Sequence, residues 1–190
     1  MVPLAELWLP ILLSAVFVFV ASSVIHMATP MHKGDVVKLP GEEKLLEAMR
    51  AQGVRPGAYM FPCAGSMKEA CTPEMVAKQN LGPVGFLNVL PNGPMKLGKH
   101  LAQWFVFCLF VGLLVAYAAG HSLARDTEYL SVFRLTGTAA FLGYGLTNVC
   151  DSIWKGSPWK STGKFLFDGI VYALVTAGTF GWLWPDAVRT

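Results

Sequence analysis

The sequence predicts an all-α membrane protein with four transmembrane helices. Helices two to four are expected to form a compact bundle, and an extramembrane loop of about 70 residues separates helices one and two. Three observations carry this prediction. Charged residues make up 14% of the chain, against about 25% in average soluble proteins. Several apolar runs are long enough to cross a hydrocarbon core of roughly 30 Å. In the later runs, small residues recur every four positions. The chain divides accordingly into a first helix over 1–27, a polar region over 28–98 and a three-helix bundle over 99–190.

Leu7 to Met27 contains no Asp, Glu, Lys or Arg. No Lys or Arg precedes it, and it is longer than the usual apolar core of a signal peptide, about 7–15 residues. It is read as a retained helix, with Pro10 tolerated in its first turns. Residues 28–98 hold most of the prolines. Pro40-Gly41-Glu42-Glu43 opens a short helix that Gly53 ends, and Thr72-Pro73-Glu74 is an N-cap followed by a proline suited to the first helical turn. The apolar runs Ala58–Phe61 and Val84–Leu90 form either a two-stranded hairpin or a surface lying on the headgroups. Tyr59, Phe61, Phe86 and Leu87 in these runs belong either to an interfacial aromatic belt or to a partner-docking surface. Cys63 and Cys71 are close enough in sequence to form a disulfide.

Leu101–His121, Leu130–Cys150 and Phe165–Trp184 complete the spans. The third is the weakest, because Arg134 lies near its start. Helix association in lipid depends on close packing of small residues. The expected seams are Gly112, Ala116 and Gly120, then Ala139, Gly143 and Thr147, then Gly169, Ala173, Ala177 and Gly181. Helix one lacks such a seam and is expected at the periphery. Between the last two spans, the stretch Tyr144–Asp168 reads as a polar, Trp-anchored hairpin turning at Gly156 and Pro158. Lysines cluster beside the 28–98 loop and this hairpin, while Arg125, Arg134 and Arg189 are on the other face. The positive-inside rule therefore places the loop in the cytoplasm and both termini outside.

A net charge of +3 with dispersed basic residues excludes a nucleic-acid-binding surface, and no catalytic signature is present. Asp168 is the most informative ionisable residue, because a carboxylate in a lipid-embedded segment is a functional candidate by default. Its structural explanation is a position one turn inside the last helix, stabilised by the helix dipole and by Lys164. Its functional explanation is proton or ion handling with Asp151 and Asn148. His26, His32, His100, Asp151 and Asp168 fall near one face, but no two histidines share an HxxxH or HxxH spacing. They are read as separately hydrated, with no metal and no cofactor expected.

The segments LWLPILLSAVFVFVASSVIHM, SIWKGSPWK and VYALVTAGTFGWLWP, in that order, resemble a group of small bacterial integral membrane proteins of similar length and layout. That resemblance implies an inner-membrane protein with no established activity, and it transfers no functional residue. The expected partners are the bilayer and other membrane subunits. The leading functional expectation is an accessory or stabilising subunit of a respiratory or photosynthetic complex. A small proton-handling protein or transporter, and a membrane enzyme acting on lipid or quinone, are the alternatives.

Overall fold

A computed structural model describes residues 1–186. Helix α1 (Trp8–Ser23) is entered through a 3-10 turn at Leu4–Leu7 and left through a π-helical turn at Val24–Ala28. The 28–98 segment contains α2 (Glu42–Ala51), β1 (Gly57–Phe61), α3 (Met67–Ala70), α4 (Pro73–Leu81) and β2 (Gly85–Val89). Then follow α5 (Leu97–Ser122), α6 (Tyr129–Phe141), a second π-helical turn (Leu142–Leu146), α7 (Asn148–Lys155) and α8 (Trp159–Trp182).

Among the described residues, three rods are long and apolar enough to cross a membrane: Leu4–Ala28, Leu97–Ser122 and Trp159–Trp182. Only 28% of the most apolar window of each of the first two is buried. Exposed Phe17, Val20, Val106, Phe110, Leu114, Ile170 and Leu174 face outward instead, a surface that suits lipid and not water. The segment predicted as the third span takes a different form. It is a helix broken by the π-helical turn and continued into α7, and Arg134 is exposed.

Contacts at the two ends fix the path of the chain. At one end Val2 N–H donates to Gly120 O at 2.8 Å, Trp184 Nε1 donates to Ala124 O at 2.9 Å, and Arg125 pairs with Glu6. At the other end Trp104 Nε1 donates to Ser22 Oγ at 2.9 Å. The first residues and the end of α8 therefore share one end. The 28–98 segment and the α7–α8 turn share the opposite one. Arg189 lies outside the described residues.

The small-residue seams are present but arranged differently from the sequence expectation. Gly112 packs on Ile11 and Ser14, and Gly120 on Val2 and Leu7. The α5 seam therefore receives α1 and the turn before it, and Leu7 of that turn and Ala15 and Val18 of α1 are fully buried. Helix one is integral to the bundle and not peripheral, because polar Ser14 and small Ala15 let it approach as closely as a glycine stripe would. On the α6 side, Gly143 faces Val111 of α5, Ala139 is half-buried and Thr147 is exposed. The residues that meet α8 are Gly137, against Ala173 and Ala177, and Gly145, against Gly169. The π-helical turn adds a residue to the helical repeat and keeps Gly145 on the α8-facing side with Gly137. Ala116, Ala173 and Ala177 are buried as expected, and Gly181 packs on Tyr129.

The 58–61 and 84–90 runs pair as two antiparallel strands, as in the hairpin alternative but joined through α3 and α4 and not by a tight turn, with Tyr59 opposite Leu87 and Phe61 opposite Gly85. Every residue of β1 is exposed. Cys63 and Cys71 are exposed free thiols and do not form the predicted disulfide. Thr72 caps α4 by accepting from Met75 N–H at 3.3 Å. The Tyr144–Asp168 stretch is a helix–turn–helix whose turn is confined to the residues between Lys155 and Trp159. Gly156 at φ 68° closes α7 in a left-handed conformation that other residues resist. Ser152 and Thr162 bond across this turn.

A methyl group at position 169 would lie 2.4 Å from Gly145 Cα and 2.8 Å from its amide nitrogen, where no side chain can yield. Gly169→Ala is expected to destabilise the bundle by about 1–3 kcal/mol. Gly163, in the same helix with open space around it, should instead gain up to about 1 kcal/mol on mutation to Ala. Unfolding titrations of both variants in mixed detergent, followed by circular dichroism, test this contrast.

Candidate functional site

Asp168 is not one turn inside its helix. Because α8 begins at Trp159, Asp168 lies about two and a half turns from the N-terminus at 3.6 residues per turn. The helix-dipole account predicted for it fails there, since that effect fades within the first turn. The predicted Lys164–Asp168 pair is also absent, because Lys164 pairs instead with Asp35 in the loop after α1.

Asp168 faces two histidines. Its Oδ2 is 2.9 Å from His32 Nε2 and 3.5 Å from His26 Nε2. The two imidazoles stack with centroids 4.2 Å apart, and Phe165 lies against His32 at 5.1 Å. The Asp168 side chain is 3% exposed, His32 12% and His26 41%, so the cluster runs from the bundle interior to its surface. The reading of these histidines as separately hydrated is corrected for His26 and His32. Sequence spacing does not reveal them, because their meeting depends on the π-helical turn at Val24–Ala28, which carries His26, and on the loop that folds His32 back. Neither His100 nor Asp151 belongs to the cluster.

The support around His32 is itself ionic. Asp35 Oδ2 lies 2.8 Å from His32 Nδ1, and Asp35 Oδ1 meets Lys164 Nζ. Lys164, and to a lesser degree His32, hold the Asp35 carboxyl below the usual carboxylate range. An ionised carboxylate can only accept hydrogen bonds. His32 Nδ1 therefore carries the proton and donates to Asp35, which turns Nε2 toward Asp168. Although the distance is short, Nε2 and both Asp168 oxygens have no hydrogen bond of proper alignment.

The other predicted site residues separate. Asp151 is occupied by Lys155 at 2.7 Å on the α7 surface. Asn148 Nδ2 donates to Gly145 O at 2.9 Å and Tyr144 O at 3.2 Å, satisfying carbonyls at the end of the π-helical turn. Asn148 nevertheless reaches the same cavity as Asp168.

That cavity, about 580 Å³, opens between α1, α5, the second π-helical turn and α8. Leu97, Leu101, Trp104 and Phe165 form apolar walls, and His26, Asp168, Tyr172 and Asn148 supply polar groups. The Tyr172 hydroxyl is buried without a hydrogen-bond partner. Both π-helical turns border the cavity, one through His26 and Met27 and the other through Tyr144. Such turns recur at functional sites. No protein-family model, curated protein or solved structure matches the chain.

Lys164→Met is expected to release Asp35 and with it the turn that holds His32. Hydrogen exchange of the amides over 30–36 should accelerate while that of α5 stays unchanged, and Lys164→Arg should keep the slower exchange.

Proposed function

We propose that the chain is a four-span membrane protein whose boundary cavity receives the polar head of a membrane-soluble amphiphile of the quinone or phospholipid kind. The cavity carries this reading. Its volume is in the range of small-ligand sites, about 300–1,000 Å³. Apolar walls and a few convergent polar groups match a ligand with a greasy body and a hydrogen-bonding head. The Tyr172 hydroxyl, Asp168 and His26 are available to that head. This reading keeps Asp168 as the ionisable centre and leaves Asp151, taken up by Lys155, outside it.

The fourth span in this proposal is the α6 rod. Tyr129–Leu146 would extend roughly 27 Å at 1.5 Å per residue, and Arg134 near its start can snorkel to the interface. The resemblance noted in the sequence suggests the inner membrane of a bacterium, with the loop cytoplasmic and both termini outside. Exposed Cys63 and Cys71 test this orientation. A membrane-impermeant maleimide should label them in inverted vesicles and not in intact spheroplasts, and the reverse pattern would invert the topology.

To test the cavity, the full chain in lipid nanodiscs is titrated with decylubiquinone, and in a parallel arm with a fluorescent phospholipid. Saturable binding in one arm identifies the class of head. Leu101→Trp, which fills the cavity from its wall, should abolish that binding with circular dichroism unchanged. Absence of saturable binding in both arms would overturn the reading.

A second reading rests on the hairpin. Tyr59, Met60 and Phe61 of β1 are each about 40% exposed and Phe86 is 50% exposed, an apolar surface suited to a neighbouring subunit. It retains the accessory-subunit role in a respiratory or photosynthetic assembly. Comigration of the chain with other membrane proteins in mild detergent, weakened by Phe61→Glu with Phe86→Glu, is its expected signature.

A further inference from the structure

We propose that His26, His32 and Asp168 form a binding site for a divalent first-row transition cation of the Zn²⁺ class, with a coordination position open to the cavity.

The donors come from three separate places: the π-helical turn after α1, the following loop, and the middle of α8. Their ligand atoms all lie within 4.8 Å of one another. Zinc bonds of about 2.0–2.1 Å place tetrahedral ligand atoms roughly 3.3 Å apart. The observed separations from Asp168 Oδ2, 2.9 and 3.5 Å, bracket that value. Two imidazoles and one carboxylate suit borderline transition ions, whereas Mg²⁺ and Ca²⁺ prefer all-oxygen sets.

The second, independent observation is the state of the buried polar atoms. Asp168 Oδ1 and Oδ2 and His32 Nε2 are buried without hydrogen-bond partners. An ordinary His–Asp pair would align N–H with oxygen at 2.9 Å, and this one does not. His32 Nε2 and Asp168 Oδ2 come within 2.9 Å with neither satisfied by the other, an arrangement that a cation bound to both would complete. Nor does an ordinary pair account for a second imidazole beside the same oxygen, since two protonated rings stacked at 4.2 Å would repel.

The supporting shell has the form found around metal-bound histidines. In such sites the ring nitrogen opposite the metal donates to a carboxylate, which fixes the tautomer and the ring orientation. His32 Nδ1 does this toward Asp35, and Lys164 holds Asp35 in place. His26, at the exposed edge, gives the ion a path in from the boundary. It lines the cavity with Asp168, so the position left open by three protein ligands faces the cavity. An open position of this kind distinguishes reactive or ligand-binding zinc sites from closed structural ones.

The proposal stands apart from the amphiphile reading, since it is measured with no amphiphile present. The full chain, carrying a tag without histidine, is stripped with chelator in detergent and titrated with Co²⁺. Expected are saturation at a single equivalent with the visible ligand-field bands of low-coordinate Co²⁺, and displacement by Zn²⁺ but not by excess Mg²⁺. His32→Gln and Asp168→Asn should each weaken binding by about 100-fold or more. Asp35→Asn, acting through His32, should cost about 10–100-fold with the bands retained. His100→Gln and His121→Gln should change neither affinity nor spectrum. Wild-type protein of normal helicity without saturable Co²⁺ binding would overturn the site, as would a loss of binding caused by the His100 or His121 variant. If Asp168→Asn fails to fold, His26→Gln decides: its side chain is the most exposed of the three, and unchanged affinity in that variant would overturn the proposal. Metal binding without quinone or phospholipid binding would sink only the cavity reading, and the converse result would sink only this one.

Discussion

The bundle depends on one backbone contact, the close approach of Gly145 to Gly169. Lipid offers helices no hydrophobic reward for associating, so contact distance must supply the attraction, and this pair brings two main chains together with no side chain between them. The same contact sets the position of Asp168, because the residue preceding Gly169 in α8 is carried toward the interior with it. Packing and chemistry are therefore joined at adjacent positions. The Asp168 carboxyl, with 3% of its side chain exposed, is set there beside His26 and His32.

Departures from regular helix geometry do much of the arranging. One π-helical turn ends the first rod and swings His26 over Asp168. The other interrupts the α6 rod, delivers Gly145 to the seam and puts Tyr144 on the cavity wall. Asn148 donates to carbonyls that the second turn leaves free, so a side chain that reads as a functional candidate also carries a structural task. Cys108 O accepts from the Tyr144 hydroxyl at 3.4 Å, linking that turn to α5.

Structure set by neighbouring residues is legible in the sequence, and structure set by residues far apart is not. The charge-free run from Leu7 to Met27, the Thr72–Pro73 helix start and the stop at Gly53 depend on residues a few positions apart, and each matches an observed element. The buried Ala116, Ala173 and Ala177 follow from helical periodicity. Thr147 failed because a π-helical turn breaks that periodicity, and nothing in LGYGL announces one except its pair of glycines. Lys164 was assigned to Asp168 by proximity in sequence, but its partner Asp35 is 129 positions away. The His26–His32–Asp168 cluster was missed for the same reason. Two histidines six residues apart face each other only because the chain between them leaves the helix and turns back. Helix one was placed at the edge for want of glycine, although Ser14 and Ala15 serve the same purpose.

The ion pair between Asp35 and Lys164 joins parts of the chain far apart in sequence. It ties the root of the 28–98 segment to the same rod that carries Asp168, with His32 held between the two. If an occupant of the cluster stiffens that root, the two events are coupled. By thermodynamic reciprocity, anything that grips the segment from outside must alter the hold on the occupant by the same factor. The partly buried cluster is in this way tied to the 28–98 segment through a single short stretch of chain.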